Sequence, residues 1–215
     1  MIPRIEAGII RCVGVCFDIG NESGKRNDFV CCIDDLYVDG AADYTVDFSK
    51  EKTERWNWRH VDVSQFTRVK GIFSLENGAA HLSGPDFAEA YTGDVSWRDL
   101  SCSFVMIPDV GTDHFVNVRV QGAMRSYAIG FCGGEFCIIK NGKTPKKLDG
   151  VKFSFDPGKQ YRIDVSLRGD AVTGVLDGKL VVTNKGDDDP LLSGSIGLSC
   201  KNGSHTRYIS IDVRP

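Results

Sequence analysis

Asn117, Arg119 and Gln121 alternate with Val116, Val118 and Val120. On an extended strand, successive side chains point to opposite faces. The pattern therefore predicts two amides and a guanidinium along one face and three valines under the other. Arg125 and Tyr127 follow across the short break Gly122-Ala123-Met124 and are expected beside them on the next strand. Amide, guanidinium and phenol groups offer donors and acceptors that suit a hydroxyl-rich ligand such as a carbohydrate. Glu89 and Tyr91 form a second candidate set. A carboxylate near Arg119 or Arg125 either orients a sugar or closes a structural ion pair, since guanidinium clamps carboxylates in both settings. The predicted ligand-binding residues are thus Glu89, Tyr91, Asn117, Arg119, Gln121, Arg125 and Tyr127. The competing expectation is a solvated sheet face whose side chains pair with one another.

Other chemistry finds less support. A glycosidase needs a second carboxyl group at a set distance; Asp86, Asp94 and Asp99 lie near Glu89 in sequence, but nothing fixes their geometry. No catalytic residue is predicted, and a binding module is favoured over an enzyme. The histidines His60, His81, His114 and His205 are scattered without metal-ligand spacing, and no P-loop, dinucleotide or nucleophile-elbow fingerprint occurs. No cofactor is predicted, although Asp34-Asp35 and Asp187-Asp188-Asp189 leave room for one structural calcium ion. Trp56, Trp58 and Trp97 suit either a sugar platform or a plug over the open end of a sandwich. The eight cysteines mostly sit within apolar strand patterns, where they act as small buried hydrophobes. A net charge of −3 gives no broad basic surface for nucleic acid. No apolar run approaches the roughly 18 residues of a membrane helix. The opening Met1-Ile2-Pro3-Arg4-Ile5-Glu6 has no signal-peptide pattern, which leaves the compartment unassigned.

The elements expected to position these residues are strands. Tyr161, Ile163, Val165 and Leu167 alternate with Arg162, Asp164, Ser166 and Arg168. Ile209, Ile211 and Val213 alternate with Tyr208, Ser210 and Asp212, and Ile196, Leu198 and Cys200 with Ser195, Gly197 and Ser199. Each run predicts one buried and one wet face. Asp177-Gly178 and Asn77-Gly78 predict tight hairpins, because both dipeptides tolerate positive φ. Asn141-Gly142 and Arg168-Gly169-Asp170 mark further turns. No sustained helical period occurs; single helical turns are expected at most over 86–90 and 64–66. Many short strands in 215 residues predict an all-β, antiparallel two-sheet jelly-roll sandwich.

A boundary is expected near Gly40-Ala41-Ala42. Before it, 8–18 and 29–38 read as two strands, too few to stand alone. The residues around Ile33-Asp34-Asp35-Leu36-Tyr37-Val38 look like the closing strand of a galactose-binding-like jelly roll. Residues 1–42 are therefore read as a strand pair that is either the tail of a preceding module or part of the sandwich, and 43–215 as the sandwich itself. Two segments carry a family resemblance. One is Val63-Ser64-Gln65-Phe66-Thr67-Arg68-Val69-Lys70-Gly71, continuing to Asp86-Phe87-Ala88-Glu89-Ala90-Tyr91-Thr92-Gly93. The other is Val116-Asn117-Val118-Arg119-Val120-Gln121 with the residues through Ala128. Together they resemble the C-terminal β-sandwich region of some bacterial ADP-ribosylglycohydrolase family members. The helical, magnesium-binding catalytic domain of that family has no counterpart here. From Gly158 to Leu198 the pattern is similar to laminin-G-like and concanavalin-like jelly rolls. These resemblances imply an accessory carbohydrate-binding module attached to other domains of a glycan- or ADP-ribose-processing protein. Laminin-G-like sandwiches that hydrolyse glycans supply an alternative, and a purely structural or protein-interaction sandwich another.

Overall fold

The structure, a computed structural model, describes residues 44–49, 54–56, 61–63 and 66–214. The chain divides into two compact units between Ala41 and Ala42. The predicted strands over 8–18 and 29–38, Asp34, Asp35 and Trp58 lie outside the described residues.

Every regular element among the described residues is a strand. An eight-stranded antiparallel sheet contains β1 (Tyr44–Asp47), β5 (Ile72–Glu76), β6 (Ala79–Ser83), β8 (Leu100–Val110), β13 (Tyr161–Arg168), β14 (Ala171–Leu176), β15 (Leu180–Thr183) and β17 (His205–Arg214). Its order is β15-β14-β13-β8-β17-β6-β5, with β1 beside β17. A seven-stranded sheet contains β4 (Thr67–Lys70), β7 (Phe87–Thr92), β9 (Asp113–Gly122), β10 (Arg125–Cys132), β11 (Glu135–Lys140), β12 (Lys146–Lys152) and β16 (Ser195–Lys201). Its order is β12-β11-β10-β9-β16-β7-β4. β2 (Glu54–Trp56) and β3 (Val61–Val63) form a separate pair. The architecture is the two-sheet jelly-roll sandwich that the alternation predicts.

Both dipeptide hairpins form. Asn77-Gly78 joins β5 to β6 at φ of 51° and 74°, and Asp177-Gly178 joins β14 to β15 at 47° and 67°. The expected helical turn over 86–90 is instead part of β7. Ala88 and Ala90 are fully buried in the core there, and pairing with β16 on one edge and β4 on the other satisfies the backbone.

One apolar core lies between the sheets. The eight-stranded sheet contributes Phe104, Met106, Ile163, Tyr208 and Ile211; the seven-stranded sheet contributes Val116, Val118, Ile129, Phe131, Ile196 and Leu198. Full burial of each large side chain stabilises the fold by about 1.5–3 kcal/mol. Two polar side chains tie the layers together. The Tyr208 hydroxyl reaches from β17 to the backbone of the opposite sheet, 2.7 Å from the Phe115 carbonyl and 3.0 Å from that of Ser199. His114 Nδ1 lies 2.7 Å from the Thr206 hydroxyl, and burial pushes the imidazole pKa down, favouring the neutral ring. A second, smaller apolar cluster of Phe115, Ala128, Cys137 and Ile139 sits on the outer face of the seven-stranded sheet.

Candidate functional site

The structure separates the predicted ligand-binding residues into three groups. Glu89 and Asn117 come together on the outer face of the seven-stranded sheet. Glu89 Oε1 lies 3.5 Å from Asn117 Nδ2, Glu89 Oε2 accepts from the Met124 amide at 3.1 Å, and Asn117 Oδ1 accepts from Ser199 Oγ at 3.0 Å. Both side chains are buried, at 2% and 0% exposure. Tyr91 is half-buried on the same strand as Glu89.

Arg119 does not share that face. Val118 pairs with Ile196 and Val120 with Ser195, so Arg119 is an extra residue in a β-bulge, with φ at +50°. The bulge resets the alternation that the sequence implied. The fully buried guanidinium instead donates to the carbonyls of Leu191 and, at 2.6 Å, Gly169. Its carboxylate neighbour is Asp99, at 3.8 Å, rather than Glu89. Tyr127 works on the same loop. Its hydroxyl donates to Asp187 Oδ2 at 2.5 Å and accepts from the Leu191 amide at 3.0 Å. Burial, helped by the Asp187 carboxylate, pushes the phenol up to about 12. Lys140 also binds Asp187, at 2.9 Å. Arg119 and Tyr127 therefore hold Leu191 by its carbonyl and its amide.

Gln121 and Arg125 form the third group, exposed near the β9–β10 turn. Arg125 Nε donates to Gln121 Oε1 at 2.9 Å, and Gln121 Nε2 donates to the Ser193 carbonyl at 2.9 Å. Trp97 packs against the main core, which fits a plug better than a platform. Among the described residues no group of three or more His, Cys, Asp or Glu is placed to hold a metal ion.

Burial raises the Glu89 pKa above the ordinary carboxylate value, while the Met124 amide and the Lys201 charge pull it back in part. The folded chain thus keeps this proton to a higher pH than the unfolded chain does. Stability contributed by Glu89 is fully present below the unfolded pKa and is lost as pH rises toward the folded value. Glu89→Gln keeps a carbonyl for the Met124 amide and removes the titration. Its thermal midpoint is expected to rise relative to wild type between about pH 4 and pH 8. Parallel melting curves across that window would show that Glu89 ionises freely in the fold.

An open polar recess lies elsewhere, on the outer face of the eight-stranded sheet. It has a volume of about 430 Å³, within the range of small-ligand clefts. Ser101 and Ser103 of β8 and Ser166 of β13 are short side chains at its base. Asp164 on β13 and Asp212 on β17 are both direct cross-strand partners of Ser103, one on each side. Two strand spacings separate their backbones, roughly 9.5 Å. Each carboxylate is held by an arginine two residues away on its own strand. Arg162 Nε reaches Asp164 Oδ1 at 2.8 Å, and Arg214 grips Asp212 with two bonds of 2.9 Å. The Arg214 bonds lower the Asp212 pKa and keep it ionised. The recess therefore presents hydroxyls, carboxylate acceptors and guanidinium donors with their formal charges balanced. The sequence showed Arg162, Asp164, Ser166, Ser210 and Asp212 as the wet sides of alternating strands. Only the pairing of β8 with both β13 and β17 reveals that they converge.

No family model matches the chain, and no curated protein matches it. Solved structures match it in fold. The carbohydrate binding module CBM66 from Bacillus subtilis superposes with a TM-score of 0.63 at 15% identity, covering 70% of this chain and 96% of that one. The exoplasmic/lumenal domain of VIP36, in a form bound to Ca2+ and Man3GlcNAc, matches at a TM-score of 0.55 and 12% identity, covering 70% of this chain and 83% of that one. The GH43 protein BlXynB from Bacillus licheniformis matches at a TM-score of 0.56 and 10% identity; the match spans 79% of this chain and 39% of that one. This chain shares with these proteins the jelly-roll sandwich fold.

Proposed function

We propose that this chain is a carbohydrate-binding module whose ligand lies in the serine-based recess of the eight-stranded sheet. The observation that carries the reading is the placement of Asp164 and Asp212 on either side of Ser103, each locked by its own arginine. A sugar ring above Ser103 meets acceptors on both sides, and charge balance favours a neutral ligand over an ion. The fold neighbours support the ligand class: one is a carbohydrate-binding module and another was solved with an oligosaccharide. Each carboxylate is engaged by an arginine and neither sits in the apolar pocket that a glycosidase's general acid requires, an arrangement that suits binding better than hydrolysis. The resemblance of 63–71, 86–93 and 116–128 to an ADP-ribosylglycohydrolase accessory region supports attachment to a glycan- or ADP-ribose-processing domain.

Calorimetric titration of the full chain with neutral and acidic glycans tests the proposal. Binding to a neutral glycan is expected, weakened about ten-fold or more by Asp212→Asn and abolished by Ser103→Trp, with folding checked by circular dichroism. No binding across the panel would overturn it. Loss with Arg125→Ala and not with Asp212→Asn would move the site to the predicted set around Tyr91, Gln121 and Arg125.

A further inference from the structure

The recess continues as a regular row of hydroxyls. Arg214 on β17 is paired with Ser101 on β8, Ser101 with Ser166 on β13, Ser166 with Thr173 on β14, and Thr173 with Thr183 on β15. Four consecutive strands thus place a serine or threonine at the same level of the sheet. The row ends at β15, the edge of the sheet. A second recess, of about 370 Å³, is lined by Thr173 and Thr183 and by the loop through Asp187 to Pro190. Thr173 lines both recesses, so the row passes from one into the other.

The geometry points to an extended, linear, neutral glycan chain lying across the strands, with successive rings over successive hydroxyls. This rests on the carbohydrate reading above and adds the form of the ligand. Neighbouring strands are about 4.8 Å apart, and an extended chain of pyranose rings advances by about one strand spacing per ring. Ring and hydroxyl therefore stay in step along the row, about 14 Å from Ser101 to Thr183. A coiled or branched glycan loses that register after one or two units. The hydroxyls are also chemically available. Ser101 Oγ accepts from Arg168 at 3.2 Å, and Thr183 Oγ1 accepts from the Lys185 amide at 3.4 Å. Each keeps its own proton to donate to a sugar oxygen. Ser103 and its flanking carboxylates lie two residues along the strands from the row, beside its β8 end, where they hold the first ring against the chain that the row carries toward the edge of the sheet.

Calorimetry of the full chain with linear xylo-, cello- and manno-oligosaccharides, from mono- to hexasaccharide, tests the inference. Affinity is expected to rise with each added ring up to about four and then level off. Thr173→Val and Thr183→Val remove hydroxyls with little change in shape on exposed or half-exposed strand positions. Each is expected to weaken hexasaccharide binding about two- to ten-fold and leave monosaccharide binding unchanged. A monosaccharide that binds as tightly as its hexasaccharide overturns the extended-chain inference and leaves the binding function standing. A length dependence insensitive to both threonine variants overturns the row as its cause. Absence of binding by every saccharide overturns the binding function and this inference together.

Discussion

Arg119→Ala is expected to lower the unfolding free energy by about 3–5 kcal/mol, from the void left by a fully buried long side chain together with two backbone carbonyls left short of a donor. The guanidinium is completely buried and donates to the carbonyls of Leu191 and Gly169. Gly169 belongs to the turn between β13 and β14, and Leu191 to the connection between β15 and β16. One side chain thus satisfies two backbone acceptors from different segments. Truncation leaves both carbonyls short of a donor, opens a void of nearly the whole side chain and releases Leu191 to the Tyr127 hydroxyl alone. The backbone supplies an internal control. Arg119 has φ at +50°, a conformation that costs an L-residue about 1–2 kcal/mol and glycine almost nothing. Arg119→Gly is therefore expected to be more stable than Arg119→Ala despite losing one carbon more. Arg119→Lys keeps the charge without the planar fork that spans two carbonyls, and is expected to recover little. Urea unfolding of the three variants checks the order. An alanine variant within about 1 kcal/mol of wild type would show that the loop holds without the clamp.

Arg119 also shows where the sequence stopped being legible. The segment 116–121 alternates without a break, and nothing in its residue types announces a bulge. A single inserted residue in the pairing with β16 turned a predicted ligand-facing arginine inward. Tyr127 is similar: a phenol on a strand reads equally as a surface contact or as a buried hydroxyl with a partner. Its partner, Asp187, lies sixty residues away in a loop that sequence alone does not dock. Glu89 was expected near Arg119 or Arg125 and instead meets Asn117 and the Met124 amide, because which strands become neighbours is tertiary information. The burial of Glu89 and Asn117 is tertiary information too and was not legible.

The fold was legible because its signals are local and repeated. The dipeptides Asn77-Gly78 and Asp177-Gly178 adopt the positive φ their chemistry allows, and the strands on either side keep period two. Tyr208, expected on the wet face of 207–213, is turned into the core by a register shift between Tyr208 and Ser210, and 86–90 was misread as a turn of helix. Its small residues Ala88 and Ala90 have no strong strand preference, and pairing on both edges of β7 decided the matter. The open recess was visible only in parts. Arg162, Asp164 and Ser166 were seen on one strand and Ser210 and Asp212 on another, and the serines of β8 that lie between them came from neither.

Gly130→Ala is expected to cost more than about 4 kcal/mol, or to prevent folding, although it adds a single methyl group. Gly130 lies within β10, paired with Phe115 of β9 on one edge and Cys137 of β11 on the other. A Cβ there would stand 2.0 Å from the His114 carbonyl oxygen and 2.9 Å from the Phe115 Cα. Those atoms are backbone, so no rotamer change relieves the overlap. Nor can β9 move away freely. His114 is fixed to Thr206 at 2.7 Å and packs edge-on against Phe155 at 5.0 Å, and the Phe115 carbonyl receives the Tyr208 hydroxyl. Displacing β9 would disturb bonds to the opposite sheet as well as the strand itself. Gly134, in the neighbouring β10–β11 turn, separates this effect from the general cost of replacing glycine. It has φ at +79° and open space around it, so Gly134→Ala should cost only about 1–2 kcal/mol of backbone strain. Denaturant midpoints of the two variants give the comparison. Equal losses would mean that β9 yields to the added carbon, and that the hydrogen bonds to Thr206 and Tyr208 do not hold it in place.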